Sequence, residues 1–220
     1  ITSGALEGLN LCLQAVTRPG DVVAVESPTF YAGLQASERL GLKVIEIPSH
    51  PRTGISVRAL AEALQRHPVR ACLFMLNFAN PTGALVPEDN RAALLELLRR
   101  HEVPLIEDDV YGELHFGAQA PPCTKALDSD GLVMHVSSFA KCLAPGFRVG
   151  WVAGGRFTER IVRQKLTTSL ATTVPVQTAL SDYLRHGGYD RHLRQLRQNL
   201  AQREATLVNA VSHYFPADTR

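Results

Sequence analysis

Lys141 is one of only four lysines in a 220-residue chain whose basic side chains are mostly arginine. It stands in "SSFAKCLAPGFRVGW", a run with no other charged residue until Arg148, seven positions on. A primary amine in apolar surroundings is available as a neutral nucleophile able to bond a carbonyl carbon. The guanidinium of Arg148 is a planar fork of donors that matches a phosphate, and Ser138 adds a hydroxyl to the same stretch. The plainer uses of these two cations are a solvated lysine and a surface ion pair.

Three other stretches carry groups suited to a small charged ligand. "PLIEDDVYGEL" delivers Asp108, Asp109 and Tyr111 at the end of an apolar run. A carboxylate there can hold a positive charge and a phenol can donate to an oxygen. An N-cap or a surface acid pair is the competing use, above all for Asp109. "NFANPTG" supplies Asn80-Pro81-Thr82-Gly83, which taken alone is a turn. "TSGALEG" sets Ser3, Gly4 and Ala5 ahead of a helical run. Free N–H groups and the helix dipole make such a start a phosphate site, although any N-cap has the same appearance.

The elements that must position these groups alternate between short β-branched runs and helical periods, the pattern of an α/β domain with a mostly parallel sheet. Strands are expected at 22–25, 43–47, 71–76, 104–108, 132–138 and 148–154. Helices are expected at 5–17, 31–40, 57–67, 87–101, 158–169 and 175–186, with a long one from about 189 to 213. That last segment is arginine-rich on one side with leucines at helical spacing. It suits a solvated connecting helix leading to a further domain better than a nucleic-acid contact. In open α/β sheets, ligands bind beyond the carboxyl ends of the strands, and Asn80, Asp108, Tyr111, Ser138 and Lys141 all follow strands.

Composition narrows the classes. A net charge of +2 gives no nucleic-acid or anionic-membrane surface. Cys12, Cys72, Cys123 and Cys142 are too far apart for a zinc site or a disulfide framework, which points to a reducing, cytoplasmic setting. No apolar run is long enough to cross a membrane. No G-x-G-x-x-G follows the first strand, which disfavours a nicotinamide oxidoreductase. The chain opens on "ITSGALEGLNL" and stops at "HYFPADTR", so an excised piece of a longer protein is expected.

In order, S-G-A, an aromatic after proline in "ESPTFY", N-P-T-G, D-x-x-Y and S-x-x-K followed by R-x-G resemble the large domain of fold-type I, class I/II aminotransferases. The resemblance covers nearly the whole chain. It implies a three-layer α/β/α sandwich, with the seven-stranded, mostly parallel sheet of the aspartate aminotransferase-like major domain, and pyridoxal 5′-phosphate as cofactor. It also implies roles. Lys141 would form the Schiff base and move the proton between substrate Cα and cofactor C4′. Asp108 would pair with the pyridinium nitrogen, Tyr111 and Asn80 would bond the phenolic oxygen, and Phe30 would stack on the ring. Ser3, Gly4 and Ala5 would receive the phosphate together with Ser138 and Arg148.

Two departures stand out. Ala5 and Leu6 offer no side-chain donor where many relatives carry hydroxyl, amide or glycine residues. The family's substrate-carboxylate arginine lies in a small C-terminal domain beyond Arg220, and an N-terminal segment that reaches across the subunit interface is also missing. Residues 1–220 are thus expected to be one large domain without a complete active site.

"VESPTFY", "FANPTGALVP", "EDDVYGEL" and "SSFAKCLAPGFRVGW" are most similar to the aminotransferase-like domain of GntR/MocR-type bacterial regulators. There, a winged helix-turn-helix precedes a domain that senses an amino compound. That resemblance implies DNA contact only through the missing N-terminal domain. The alternative is a free-standing aminotransferase of the 2-aminoadipate or aromatic type. β-Elimination and decarboxylation use the same cofactor contacts. A homodimer is implied, with "KLTTSLATTVPVQ" (Lys165 to Gln177) either its contact or a polar loop with an N-cap.

Overall fold

The computed structural model describes residues 1–217 and 219. Strands β1 (Val22–Ser27), β2 (Lys43–His50), β3 (Gly54–Ile55), β4 (Val69–Phe74), β5 (Leu105–Asp108), β6 (Val133–Ser138) and β7 (Gly150–Ala153) form one sheet. Its order is β3-β2-β1-β4-β5-β6-β7. The five strands β2, β1, β4, β5 and β6 run parallel, while β3 and β7 are antiparallel edges.

The helices among the described residues are α1 (Ala5–Val16), α2 (Tyr31–Arg39), α3 (Val57–Arg66), α4 (Glu88–Arg100), α5 (Thr158–Thr168), α6 (Val174–Arg185) and α7 (Gly188–Tyr214), the last two packed on each other. α1 packs on β5, β6 and β7 together with α2 and α5, whereas α3 pairs with α4, giving the three-layer α/β/α arrangement. The apolar runs read from the sequence are the buried centre. Val23, Ala24, Cys72, Phe74, Leu105, Ile106, Val133 and Met134 are fully enclosed, alongside Leu9, Cys12 and Leu13 of α1. Each large aliphatic side chain removed from water there contributes about 1.5–3 kcal/mol. These strands are apolar on both faces because helices cover both.

The expected helices agree with the structure to within a residue or two at each end. Two strand features lay outside the sequence reading. β3 is only two residues long and pairs at Ser49 and His50, so it carries no periodicity to detect. β7 is antiparallel, because the turn from β6 is too short for a crossover. That reversal matters for the site, since Gly150 lies beside Ser138 and Arg148 therefore comes to the carboxyl end of β6.

Candidate active site

The carboxyl ends of β4, β5 and β6 open into a cavity of about 220 Å3. Its walls include Ala5, Phe30, Asn80, Asp108, Tyr111, Ser138, Lys141 and Arg148, residues drawn from five separate segments at strand ends and helix starts. Eight of the ten residues singled out from the sequence thus share one space. Ser3 and Gly4 adjoin it through backbone: Nη2 of Arg148 donates to the carbonyl of Ser3 at 3.1 Å.

The sheet explains this convergence. Asp108 ends β5 and Ser138 ends β6, paired through Asp108–Val136 and its neighbours. Asp108 is 3 % exposed, and its Oδ1 meets no hydrogen-bonding partner among the described residues. Burial, reinforced by the charge of Asp109, pushes its carboxyl up to about 7. A buried, unmet carboxylate oxygen at a cavity wall is unfavourable unless a cation or donor reaches it.

Lys141 lies in the turn after β6, with Nζ 5.9 Å from the centre of the Tyr111 ring. The apolar setting expected from its sequence neighbours does not surround it in space. Cys142 turns inward while Lys141 is exposed at the cavity mouth, because successive residues of a turn point in different directions. Phe30, Val110 and Tyr111 pack against Met75, Ala79 and Ala84 to form the apolar wall.

The phosphate-directed end is built from α1 and Arg148. Gly4 precedes α1 at φ 89°, and no side chain caps the helix. Ser3 N–H is taken by Oε2 of Glu7 at 2.5 Å. Arg148 itself sits at φ 50°, a left-handed backbone that costs a non-glycine residue on the order of 1 kcal/mol. That turn folds its guanidinium back onto Ser3, and Nη1 also donates to the carbonyl of Pro145 at 3.4 Å.

A supporting layer was not legible as such in the sequence. Asp109 is neither an N-cap nor a surface acid. Its carboxylate accepts from Nδ2 of Asn77 at 3.1 Å and bonds Nε2 of His135 at 3.0 Å. Behind it, buried Arg91 faces Glu107 at 3.5 Å and also donates to Asn77 and Thr124. Glu107, Cys123 and His135 place ligand-type atoms within 4.8 Å of one another. Glu107 already accepts from the N–H groups of Thr124 and Lys125, so hydrogen bonding accounts for its position.

Glu26, at the end of β1, is buried, and its Oε1 accepts from Met75 N–H at 3.1 Å. Burial first, with Asp108 adding to it, lifts this carboxyl to about 8. The signal was available as a lone acid closing the apolar run "VVAVE".

A wider groove of about 890 Å3 opens near the start of β4 and the end of α1, lined by Gln14, Arg18, Arg70 and Arg160 among others. It contains none of the residues above. Its arginines lie where the carboxyl end of α1 leaves carbonyls free, and Nε of Arg70 donates to that of Val16 at 3.2 Å. Among the described residues, no helix is long and apolar enough to cross a membrane.

Residues 1–217 match the family model described as aminotransferase class I and II. The chain is 50% identical, over its full length and 47% of the relative, to YdcR, an uncharacterized HTH-type transcriptional regulator of Escherichia coli strain K12. It is 31% identical to aromatic-amino-acid aminotransferase 1 of Thermococcus litoralis, over 98% of this chain and 53% of that one. Among solved structures, LysN of Thermus thermophilus superposes with a TM-score of 0.94 at 27% identity, over 100% of this chain and 57% of its own. LysN is an α-aminoadipate aminotransferase, complexed there with N-(5′-phosphopyridoxyl)-L-leucine. The chain spans about half the length of the curated relatives it matches. It belongs to the aminotransferase class I and II family.

Proposed function

We propose that the chain is the pyridoxal 5′-phosphate-binding large domain of a longer protein, a GntR/MocR-type transcriptional regulator, and that its cavity performs or senses transamination of an amino acid. The observation that carries this reading is the buried, unmet Oδ1 of Asp108 in the same cavity as Lys141 and Arg148. A ring cation at one end, an aldehyde carbon in the middle and a phosphate at the other end match those three groups. The half-length match to an HTH-type regulator at 50% identity favours the regulator over a free-standing aminotransferase.

When bound, pyridoxal phosphate supplies an electron sink for the pair left on Cα. The residues of the chain do the rest. Lys141 Nζ would hold the cofactor's aldehyde carbon and, when free, would move a proton between substrate Cα and cofactor C4′. An ionised Asp108 would face the ring nitrogen and favour its protonated form. Tyr111 and Asn80 would donate to the phenolic oxygen, and Phe30 would cover the ring. Ser138, Arg148 and the first N–H groups of α1, including that of Ala5, would hold the phosphate through charge-assisted hydrogen bonds.

Four free cysteines support a reducing, cytoplasmic setting. We propose a homodimer as well, which the family resemblance implies, and exposed Leu166, Leu170 and Val174 around the 165–177 segment suit a subunit contact. Lys165 is not available to it, since Nζ bonds Glu7, Ser169 and Thr172.

The test uses the full-length protein. Pyridoxal phosphate should give a near-ultraviolet or visible band that borohydride fixes to a peptide containing Lys141, and Lys141→Ala should abolish it. A borohydride-stable adduct in Lys141→Ala would overturn the assignment. Half-transamination with a panel of amino acids then separates an active enzyme from a sensor.

A further inference from the structure

One face of α7 touches both the turn that carries Lys141 and the turn that follows Tyr111. The hydroxyl of Tyr189, in the first turn of α7, donates to Sγ of Cys142 at 3.1 Å. Nε2 of His192 lies 3.0 Å from the carbonyl oxygen of Cys142. A ring nitrogen facing a carbonyl must carry the proton, so this contact fixes the His192 tautomer. Cys142 is the residue next to Lys141 and is 2 % exposed. The Tyr189 ring also stands edge-on to Phe139 at 5.7 Å, and Phe139 packs on Trp151 at 5.1 Å.

Farther along, Arg197 donates from Nε to the carbonyl of Glu113 at 2.7 Å and from Nη2 to its carboxylate at 2.9 Å. Glu113 belongs to the 3-10 turn Gly112–Leu114, directly after Tyr111. Positions 189, 192 and 197 return to one side of a helix, and Leu193 is buried between them. Two of these contacts are made to main-chain carbonyls of the turns. They therefore hold the backbone path itself rather than a side chain that could swing away.

We infer that Tyr189 and His192 are positioning residues for Lys141, and that Arg197 does the same for the Tyr111 turn, so that α7 keeps the two reactive side chains in register. The inference rests on the cofactor reading above, but its geometry does not. A shift of α7 along its axis moves both turns together. A loss of the Tyr189 and His192 contacts frees the lysine turn while leaving the tyrosine turn held.

The test again uses the full-length protein. Tyr189→Phe keeps the ring against Phe139 and removes only the hydroxyl. His192→Ala removes the second contact, His192→Gln restores a donor, and Arg194→Ala is an exposed control on the same helix. Two readouts are taken: alkylation of Cys142 by iodoacetamide, mapped by mass spectrometry without cofactor, and the equilibrium retention of pyridoxal phosphate. Loss of the His192 contact should speed alkylation, and loss of either hydrogen bond should weaken retention, by about threefold to tenfold.

His192→Ala should show both effects and Tyr189→Phe the weaker retention, while His192→Gln and Arg194→Ala behave like the parent. Faster alkylation with unchanged retention would leave the clamp in place but overturn its action on Lys141. No change in either readout would overturn the clamp altogether. Should Tyr189→Phe fail to fold, the His192 pair decides. A parent that binds no pyridoxal phosphate refutes the cofactor reading, and Cys142 alkylation still decides the clamp.

Discussion

Gly4 and Arg148 fit together only because Gly4 has no side chain. A Cβ at position 4 would lie 2.5 Å from Nη2 of Arg148, and the backbone there is held at φ 89°. The arginine therefore lies directly on the start of α1, and two cationic or donor surfaces meet where a phosphate would sit.

Gly4→Ala should cost about 1–3 kcal/mol in backbone strain and also push Arg148 away. Gly20 provides the control, because it has φ 92° and nothing within 4 Å of its would-be Cβ. Both alanine variants should melt earlier than the parent. Only Gly4→Ala should weaken pyridoxal phosphate binding, by about tenfold or more in a fluorescence titration. Equal affinities for the two variants would show that the contact has no part in binding.

Two of the buried carboxyls give the cofactor-free protein an unusual pH dependence. Asp108 and Glu26 are raised by burial to about 7 and about 8, from ordinary values of 3.8 and 4.5. Between the unfolded and folded values, the folded state binds more protons than the unfolded state. Stability is therefore fully present below about pH 4 as far as these groups are concerned, and it falls as pH rises through 7 and 8. Each group contributes on the order of a few kcal/mol to that slope. Thermal melts of apoprotein from pH 5 to 8 should show declining stability. The decline should flatten in Glu26→Gln and in Asp108→Asn. A parent melt that is level or rises across this range would refute the assignment.

Most of the site was legible because its parts lie in strand-end loops, where a short string of residues and its position after an apolar run carry the information. Asn80, Asp108, Tyr111, Ser138, Lys141 and Arg148 all come from such strings, and the parallel sheet brings the strand ends together. What escaped were pairs distant in sequence. Asp109 meets His135 26 positions on, and Cys142 meets Tyr189 47 positions on, with no local pattern linking either pair. The surroundings of Lys141 escaped for a different reason: Cys142 beside it is buried while Lys141, Pro145 and Phe147 are exposed, so an apolar string did not make an apolar setting. In the fold, the helices were legible from their periods, whereas a two-residue edge strand and the reversal of β7 depended on pairing and loop length.

The Arg91–Glu107 pair should be the most sensitive polar contact behind the site. Both side chains are buried, at 1 % and 0 % exposure, and Arg91 also donates to Asn77 Oδ1 at 2.9 Å and to the carbonyl of Val86 at 3.1 Å. Removing one partner strands the other charge in the interior, at a cost of about 3–5 kcal/mol. Arg91→Ala should therefore lower the urea midpoint far more than Arg99→Ala, whose ion pair with Asp130 is on the surface. Comparable midpoints for the two variants would mean that Arg91 is not holding Glu107 and Asn77 in place.

Asp109 links that layer to Asp108, and its charge should be readable from both sides. Burial works against protonation of His135. The hydrogen bond and charge of Asp109, with Glu107 and Asp108 beyond it, outweigh burial and hold the imidazole above its ordinary value. Asp109 also raises Asp108, after burial. Asp109→Asn removes one negative charge from beside both groups, so the titrations of His135 and Asp108 should both move down. Histidine ring-proton resonances would follow the first and carboxyl carbon shifts the second. For His135, the stabilisation gained by protonation is present below its unfolded value and is lost as pH rises through the folded value. The variant should lose that stabilisation at a lower pH than the parent. A His135 titration that stays in place in Asp109→Asn would mean that the 3.0 Å contact does not set the charge of this layer.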